Sequence, residues 1–514
     1  METSLPILVV RADASSAIGS GHVIRMTALA QAWQQQGGRV LFACAEIPDG
    51  MTGMMEEEGF PLHRLPVAIG SPDDLDALNA LCHQAATSAG AVVALDGYRF
   101  GKDYQSGVKA HGWPLLMMDD YGHADAASAD WIVNQNPGAD ASLYGPSAST
   151  NDRLLAGARY ALLRKDFARY AEWHRDVNAE GRNVLVTFGG SDPANLTPEA
   201  IGALAGRDLN IRVVVGPGYR NEESVHAAME RHRHAFRTAE TVVNPRSMAD
   251  LMAWADVAVA AAGSTAWEIC FMGLPAIFVQ VAANQETVMR SIAVQRLGVA
   301  LAGSLAAAIE ALGSAVSEVV ADPVGRAGLA RTAVETVDGF GADRICAQLC
   351  GRPELALRRA VSADAEILWE WANDPTTRAQ SFQTAPIPLD SHVRWFEARL
   401  RDPACHFWVA ESGGRIPVGC VRFDADQDAA VVSLNLAPGY RGRGIGRHLL
   451  QLACRQYFRT SSAPVIRALI KSGNAASIRT FLSCGFHITS ETSTPDAPVL
   501  EMIRQRQSIT PTGT

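Results

Sequence analysis

At 514 residues the chain is too long for one hydrophobic core, and roughly two to four domains are expected. A hydrophobic share of 48% with 19% charged residues is that of an ordinary globular protein, and a net charge of -9 argues against nucleic acid as a partner. Nine scattered cysteines without a C-x-x-C pair, Cys346 and Cys350 among them on one predicted helix face, read as free thiols of a reducing cytoplasm. The apolar run Pro6–Val10 is too short for a signal-peptide core, and Leu297–Ile309 is stopped by Glu310 well short of a span. A soluble, cytoplasmic protein with no membrane partner is expected.

In chain order, the run ending at Val10 reads as a strand, followed by a glycine turn at Gly19-Ser20-Gly21. A helical pattern (Val23, Met26, Ala30, Trp33) then runs to Gly37-Gly38. Such a turn permits close backbone approach to a phosphate, and the helix start offers it unpaired N–H groups. His22, at the positive end of that helix, is disfavoured from carrying a proton and is poised as a neutral base; a plain polar helix-start residue is the alternative.

Strands are predicted at Ile7–Arg11, Val40–Cys44, Val92–Leu95, Leu115–Met118 and Trp131–Asn134. After Gly157–Arg169 the alternation restarts with Val184–Phe188, Ile211–Val215, Val257–Ala260 and Ala276–Val279. Strands separated by helices imply parallel sheets, and two series imply two Rossmann-like lobes with a cleft between them. The second series has its own glycine turns, at Gly189-Gly190-Ser191 and Gly263-Ser264-Thr265. Each offers N–H and hydroxyl donors to a diphosphate. Glu268, one turn into the following helix, is placed to accept both ribose hydroxyls or to be a solvated carboxylate. Asp119-Asp120 has no His or third acid close by in sequence and reads as a strand end, so no metal is assigned.

Near Cys350 the character changes. Beyond Leu355 the β runs His406–Glu411, Val418–Phe423 and Val431–Leu436 come closer together, and Arg441-Gly442-Arg443-Gly444-Ile445-Gly446-Arg447 bridges the last of them to an apolar helix, His448–Tyr457. Its glycines turn consecutive N–H groups toward a pyrophosphate, and no acidic ribose partner follows about twenty residues on, as a dinucleotide fold would have.

Eight motifs of the first two-thirds stand together in order: R-A-D-A-S-S-A-I-G-S-G-H-V-I-R from Arg11, L-D-G-Y from Leu95, D-D at Asp119, N-Q-N from Asn134, G-A-R-Y-A-L-L-R from Gly157, G-G-S-D-P-A-N from Gly189, A-A-G-S-T-A-W-E from Ala261 and A-N-Q from Ala283. Over roughly residues 5–345 they resemble the UDP-2,4-diacetamido-2,4,6-trideoxy-β-L-altropyranose hydrolases of pseudaminic acid biosynthesis, relatives of the GT-B glycosyltransferases. The resemblance implies metal-independent, inverting hydrolysis of the anomeric C–O bond. It puts His22, Tyr98 and Asn284 at the reaction. It puts Arg11, Asp13, Gly21, Arg25, Gly190, Ser191, Asn195, Ser264, Thr265, Glu268 and Gln285 on the UDP-linked amino sugar.

From about 355 to 505 the glycine loop, W-E-W-A-N-D-P-T-T-R from Trp369, H-V-R-W-F-E-A-R-L from His392 and N-A-A-S-I-R-T-F-L-S-C-G-F from Asn474 resemble the GNAT superfamily of N-acetyltransferases, nearest to its nucleotide-aminosugar branch. The resemblance implies acetyl-CoA as cosubstrate, held by Leu436, Arg441, Gly442, Arg443, Gly444, Ile445, Gly446, Arg447, Asn474 and Phe481. In many relatives the position of Phe481 is a tyrosine that protonates the leaving thiolate, and phenylalanine cannot. His392, His406 and Glu411 are possible bases, though a surface or packing role suits each better.

The expected architecture is α/β: a GT-B-like pair of Rossmann-like lobes (1–165 and 166–348), a linker (349–356), an α+β GNAT domain (357–505) and a flexible tail (506–514). The expected function is bifunctional, with 4-N-acetylation of a UDP-amino sugar followed by its hydrolysis to UDP and free sugar. A GT-B glycosyltransferase fused to an acetyltransferase of another amine stays open, as does a hydrolase with a non-catalytic acetyl-CoA-binding regulatory domain.

Overall fold

The alternating apolar runs of the first two-thirds fold as two parallel sheets in the computed structural model, which describes residues 5–15, 18–122, 128–144, 154–351, 354–412, 416–426, 429–493 and 497–506. Strands β1 (Ile7–Ala12), β2 (Val40–Cys44), β3 (Leu62–Arg64), β4 (Ala91–Asp96), β5 (Leu115–Met118), β6 (Trp131–Asn134) and β7 (Leu154–Ala156) lie in the order β3-β2-β1-β4-β5-β6-β7. The central pair, β1 and β4, is buried at every residue, which is why both read as unbroken apolar runs. A second sheet takes β8 (Asn183–Thr187), β9 (Asn210–Val215), β10 (Thr238–Val243), β11 (Val257–Ala261), β12 (Ala276–Val279) and β13 (Val299–Leu301) in the order β10-β9-β8-β11-β12-β13.

Both orders are that of a doubly wound sheet. The chain reverses direction across the sheet beside the first strand, and a crevice opens at the carboxyl ends of the two strands flanking the reversal. In the first lobe those strands are β1 and β4; in the second they are β8 and β11.

The helix Gly21–Gln35 departs from the one-sided pattern expected of it. Arg25, Thr27 and Gln31 are buried as well as Val23, Met26 and Trp33. One reason is the helix Gly341–Leu349, which packs against it and adds Ile345 and Cys346 to the first lobe's core. Burying Ile345 there contributes about 1.5–3 kcal/mol. Residues expected to close the second lobe thus complete the first. The segment Leu297–Ile309 is likewise not one unit: β13 is followed by the helix Leu305–Ala321, in which Glu310 is an interior residue.

The chain divides into two compact units. One comprises the residues up to Tyr170 with Arg175–Cys350; the other comprises Ala171–His174 with the residues from Gly351. The second unit's sheet runs β14-β15-β16-β17-β18-β20-β19, from β14 (Ala356–Arg359), β15 (Cys405–Ser412), β16 (Ile416–Asp426), β17 (Ala429–Leu436), β18 (Val465–Lys471), β19 (His487–Ser493) and β20 (Pro498–Gln505). Its pairs are antiparallel except β17 with β18, which meet only over Ala429–Val431 and Val465–Arg467. The carboxyl half of β17 therefore diverges from its neighbour. The α/β class with two Rossmann-like sheets and a mixed-sheet third body matches the expectation.

Of the expected tail, residues 507–514 lie outside the described residues, as do Arg352 and Pro353 of the expected linker. Arg506 is tied down, donating to the carbonyls of Phe458 (2.6 Å) and Ala463 (3.0 Å). Cys44, Cys82, Cys270, Cys405, Cys420, Cys454 and Cys484 are free thiols, and no helix among the described residues is long and apolar enough to cross a membrane.

Candidate functional site

Both crevices open into one cleft of about 1300 Å³ inside the first unit. Its first-lobe wall carries Gly19–Gly21 and His22 after β1, Tyr98 after β4 and Asp120 after β5; its second-lobe wall carries Gly190 and Ser191 after β8 and Gly263–Thr265 after β11. The two walls come close. A Cβ on Gly190 would lie 2.0 Å from Ser20 Oγ, and one on Gly21 3.7 Å from Ser264 Oγ. Gly190 is also pressed from behind, since a Cβ on Gly216 would sit 2.5 Å from its Cα. Only glycine allows that stacking of main chains.

His22 is 8% exposed, lines the cleft, and sets its ring edge-on to Tyr98 with centroids 5.0 Å apart and an interplanar angle of 80°. Its Nδ1 lies 4.0 Å from Asp96 Oδ1. Tyr98 is 43% exposed, and its hydroxyl donates to Asp120 Oδ2 at 2.9 Å. Burial alone would raise the Asp120 carboxyl, but the Arg25 guanidinium, with help from His22 and the Tyr98 hydroxyl, pulls it down to about 2. Asn136, from the N-Q-N motif, donates to the Asp120 carbonyl at 2.7 Å and so braces the same turn.

Arg11 and Arg25 correct the expectation that they grip the substrate, while Asp13 borders the cleft and is held by its own partners. Arg11 is fully buried, absent from the cleft wall, and spends its fork on Asp74 (2.9 and 2.8 Å) and its third nitrogen on Asp13 (2.6 Å). Asp13 receives the Ala45 and Glu46 amides on its other oxygen, at 2.7 and 2.9 Å. Arg25 borders the cleft, yet its nitrogens bind Asp96 (2.6 and 2.6 Å) and Asp120 (2.6 and 3.2 Å). A diphosphate would have to compete with buried carboxylates for both arginines.

On the second wall, Ser264 and Thr265 open the helix Thr265–Phe271, and Glu268 lies inside it, 7% exposed. Burial pushes the Glu268 carboxyl up against the pull of Arg164, whose Nη2 is 3.3 Å away. Gln285 lines the cleft and accepts the Val281 amide at 2.9 Å. Asn284 lies in the turn Ala283–Gln285, and its side chain is outside the described residues. Asn195 is a correction: it is absent from the cleft wall, and its Oδ1 accepts from the Tyr219 hydroxyl and from Ser224 Oγ, which fixes a loop.

Among the cleft residues that went unassigned from sequence, four carry charge close to the assigned ones. Asp96 and Asp120 sit inside the quoted L-D-G-Y and D-D motifs, and Arg164 ends G-A-R-Y-A-L-L-R; Arg246, exposed on the wall, had no local signal. Among the described residues no group of three or more His, Cys, Asp or Glu side chains could hold a metal ion.

In the second unit, the turn Arg441–Gly446 connects β17 to the helix Ile445–Thr460. Gly442 and Gly444 take φ of +72° and +76°, and a Cβ on either would meet open space. The first N–H groups of a helix have no intrahelical acceptor, so the turn fits a pyrophosphate. Ile445 is buried as the anchor of that turn, Gly446 packs closely on Leu436, and Arg443 and Arg447 are exposed.

Two expected cofactor contacts in this unit are corrected and a third is constrained. The Arg441 guanidinium bonds Asp374 (2.5 Å), Thr377 (2.9 Å) and the Leu436 carbonyl (3.1 Å), so it ties the turn to the N-D-P-T-T-R segment. Phe481 is 5% exposed and packs edge-on to Phe486, centroids 4.9 Å apart. Asn474 Oδ1 caps its own helix through the Ser477 amide at 3.1 Å.

Nor are the candidate bases suited. His392 is buried beside Phe396, burial and then Arg359 push His406 down to about 4, and Glu411 is held by Arg358 at 2.6 Å.

Residues 184–323 match the family model described as the glycosyltransferase family 28 C-terminal domain, and residues 365–486 match that of the acetyltransferase (GNAT) family. An uncharacterized protein of Methanocaldococcus jannaschii is 23% identical over 496 residues, 94% of this chain and 97% of that protein. The spore coat polysaccharide biosynthesis protein SpsG of Bacillus subtilis is 27% identical over 46% of this chain and 68% of its own length. The UDP-2,4-diacetamido-2,4,6-trideoxy-beta-L-altropyranose hydrolase of Campylobacter jejuni is 25% identical over 37% of this chain; the match spans 62% of that enzyme. These matches agree with the two resemblances read from the motifs: the chain joins a part similar to sugar-nucleotide hydrolases and glycosyltransferases to a part similar to the GNAT acetyltransferases.

Proposed function

We propose that the first unit hydrolyses a UDP-linked diacetamido-trideoxy-hexose to UDP and free sugar, without a metal and with inversion, and that the second acetylates the 4-amino group of its precursor from acetyl-CoA. The observation that carries the reading is the facing of His22 and Tyr98 against the glycine-serine turns of the second lobe across one cleft. The activity named for the Campylobacter jejuni relative supports the substrate class.

In the first reaction a water oxygen bonds to the anomeric carbon while the bond to the diphosphate oxygen breaks. The water's proton goes to His22, and the bonding pair leaves on UDP. UDP is a good leaving group, so the protein's main tasks are to place the water and to stabilise the departing charge. The Ser191 and Ser264 turns suit the second task, and Glu268 suits the ribose hydroxyls. In the second reaction the amine nitrogen bonds to the acetyl carbon, the C–S bond breaks, and the proton lost from nitrogen balances the departing thiolate. Here the turn Arg441–Gly446 would hold the pyrophosphate of acetyl-CoA and the free edge of β17 its pantetheine arm.

The glycosyltransferase family 28 match favours one second reading, transfer of the sugar to an acceptor other than water. Incubation of the chain with the diacetamido UDP-sugar and no acceptor tests the proposal. Release of UDP with free sugar supports it, whereas turnover that waits for an added alcohol acceptor supports transfer.

A further inference from the structure

His22 and Arg25 are three residues apart on the helix Gly21–Gln35, so both meet the end of β4, where Asp96 closes the strand. Asp96 Oδ1, 4.0 Å from His22 Nδ1, accepts from Arg25 Nη2 at 2.6 Å, and Asp96 Oδ2 accepts from Arg25 Nε at 2.6 Å. The orientation of this carboxylate is therefore fixed by a two-pronged guanidinium grip and not by the histidine. The same guanidinium reaches Asp120, which also holds the Tyr98 hydroxyl. Asp96 is 1% and Arg25 6% exposed, so water screens these charges weakly.

One guanidinium between two carboxylates leaves a negative excess beside an imidazole. The helix end beneath His22 disfavours a proton on the ring, while the aspartates favour it. Other groups facing the ring are Asp120, from the segment after β5, and the Tyr98 hydroxyl, from the loop after β4. The second lobe meets this turn with Ser191 and Ser264, and its wall carries the charges of Arg246 and of Glu268 with Arg164.

Resting on the hydrolase reading above, we propose that Asp96 is the positioning residue of His22 and that Arg25, by clamping Asp96, sets how readily His22 takes up a proton. With Nδ1 turned to Asp96, Nε2 is the nitrogen that receives the proton of the attacking water. Asp96 stabilises the imidazolium so formed without taking the proton, as in carboxylate–histidine pairs of other hydrolases. Arg25 moderates that pull. Without it, two buried carboxylates would hold the proton on His22 and block the base.

The test follows UDP release by the full chain from the diacetamido UDP-sugar across pH, in wild type, Asp96→Asn and Arg25→Gln. The acid limb of kcat/KM reports protonation of the free base. For Asp96→Asn, which is isosteric, the limb is expected to move to lower pH by about 1, with kcat down about 10-fold or more. For Arg25→Gln it is expected to move to higher pH by a similar amount. KM should change little in either, since neither residue is placed on the nucleotide.

Thermal unfolding checks that each variant folds; if Arg25→Gln does not, Asp96→Asn decides alone. The His22 ring resonance, titrated by NMR in wild type and Asp96→Asn, reads the same coupling without catalysis. A wild-type enzyme that releases no UDP, with a ring titration that still moves in Asp96→Asn, would sink the hydrolase reading and leave the coupling standing. A ring titration and acid limb unmoved by Asp96→Asn would overturn the proposal.

Discussion

At the ends of β1, β4 and β5 the first lobe packs Arg25 between Asp96 and Asp120 and sets His22 and Tyr98 against that cluster, whereas at the ends of β8 and β11 the second lobe presents glycine main chain and the hydroxyls of Ser191, Ser264 and Thr265. The strand order behind the two walls is the same. Their chemistry is not. A wall of interlocked charges holds side chains at fixed angles and suits proton movement, while a wall of amides and hydroxyls has donors to give an anion at little desolvation cost. On the proposed function, one fold used twice would separate bond breaking from nucleotide binding.

If that division is right, its strongest break point is His22. Replacement by Asn should lower UDP release by about 10²- to 10⁴-fold and leave acetyl transfer unchanged, measured as UDP and CoA formed by the same sample. Next is the turn of the second unit. Arg441→Ala frees the turn from Asp374 and Thr377 and should raise the KM for acetyl-CoA roughly tenfold, with UDP release untouched.

The second wall is broken at Gly216. Alanine there drives a Cβ into the Gly190 main chain, so the turn must shift. A KM for the UDP-sugar raised several-fold, with kcat nearly kept and stability lowered by about 1–3 kcal/mol, is the expected pattern. An equal fall in kcat would mean that this wall also takes part in the chemistry.

The smallest effect concerns the first wall's charge. The Asp120 carboxyl is held below its ordinary 3.8, at about 2, in the folded chain. A lowered folded value gives stability that is complete above the unfolded value and lost as pH falls through the folded one. About 2 kcal/mol should therefore disappear between roughly pH 4 and pH 2. Chemical unfolding across that window should show the slope, and Asp120→Asn should flatten it.

Much of the architecture was legible because the central strands are buried on both faces. β1, β4, β8 and β11 each read as apolar runs to within two residues of their observed ends. The strands passed over include the interior strands β18 and β20 of the second unit, while those of the first unit were sheet edges, such as β3, Leu62-His63-Arg64, and β10, which has no buried residue. Neither of these two edges carries a period, since neither has a fully buried face. In the site, the glycine turns and His22 were visible because their meaning is local.

The roles of Arg11 and Arg25 were not. Asp74 is 63 residues from Arg11, and Asp96 and Asp120 are 71 and 95 from Arg25. An arginine next to a phosphate-like turn looks the same in sequence whether its partner is a ligand or a distant aspartate. Arg441 misled in the same way, since Asp374 lies 67 residues before it.

On the proposed function, this cleft directs water at the anomeric carbon of a UDP-sugar. The most direct measurement is NMR of the diacetamido UDP-sugar mixed with the chain in ¹⁸O water, with no acceptor present. The expected products are UDP free of the label and a sugar that carries ¹⁸O at its anomeric carbon, first seen as the anomer of opposite configuration. Label in the UDP phosphate, or a substrate that stays intact until an alcohol acceptor is added, would contradict that function.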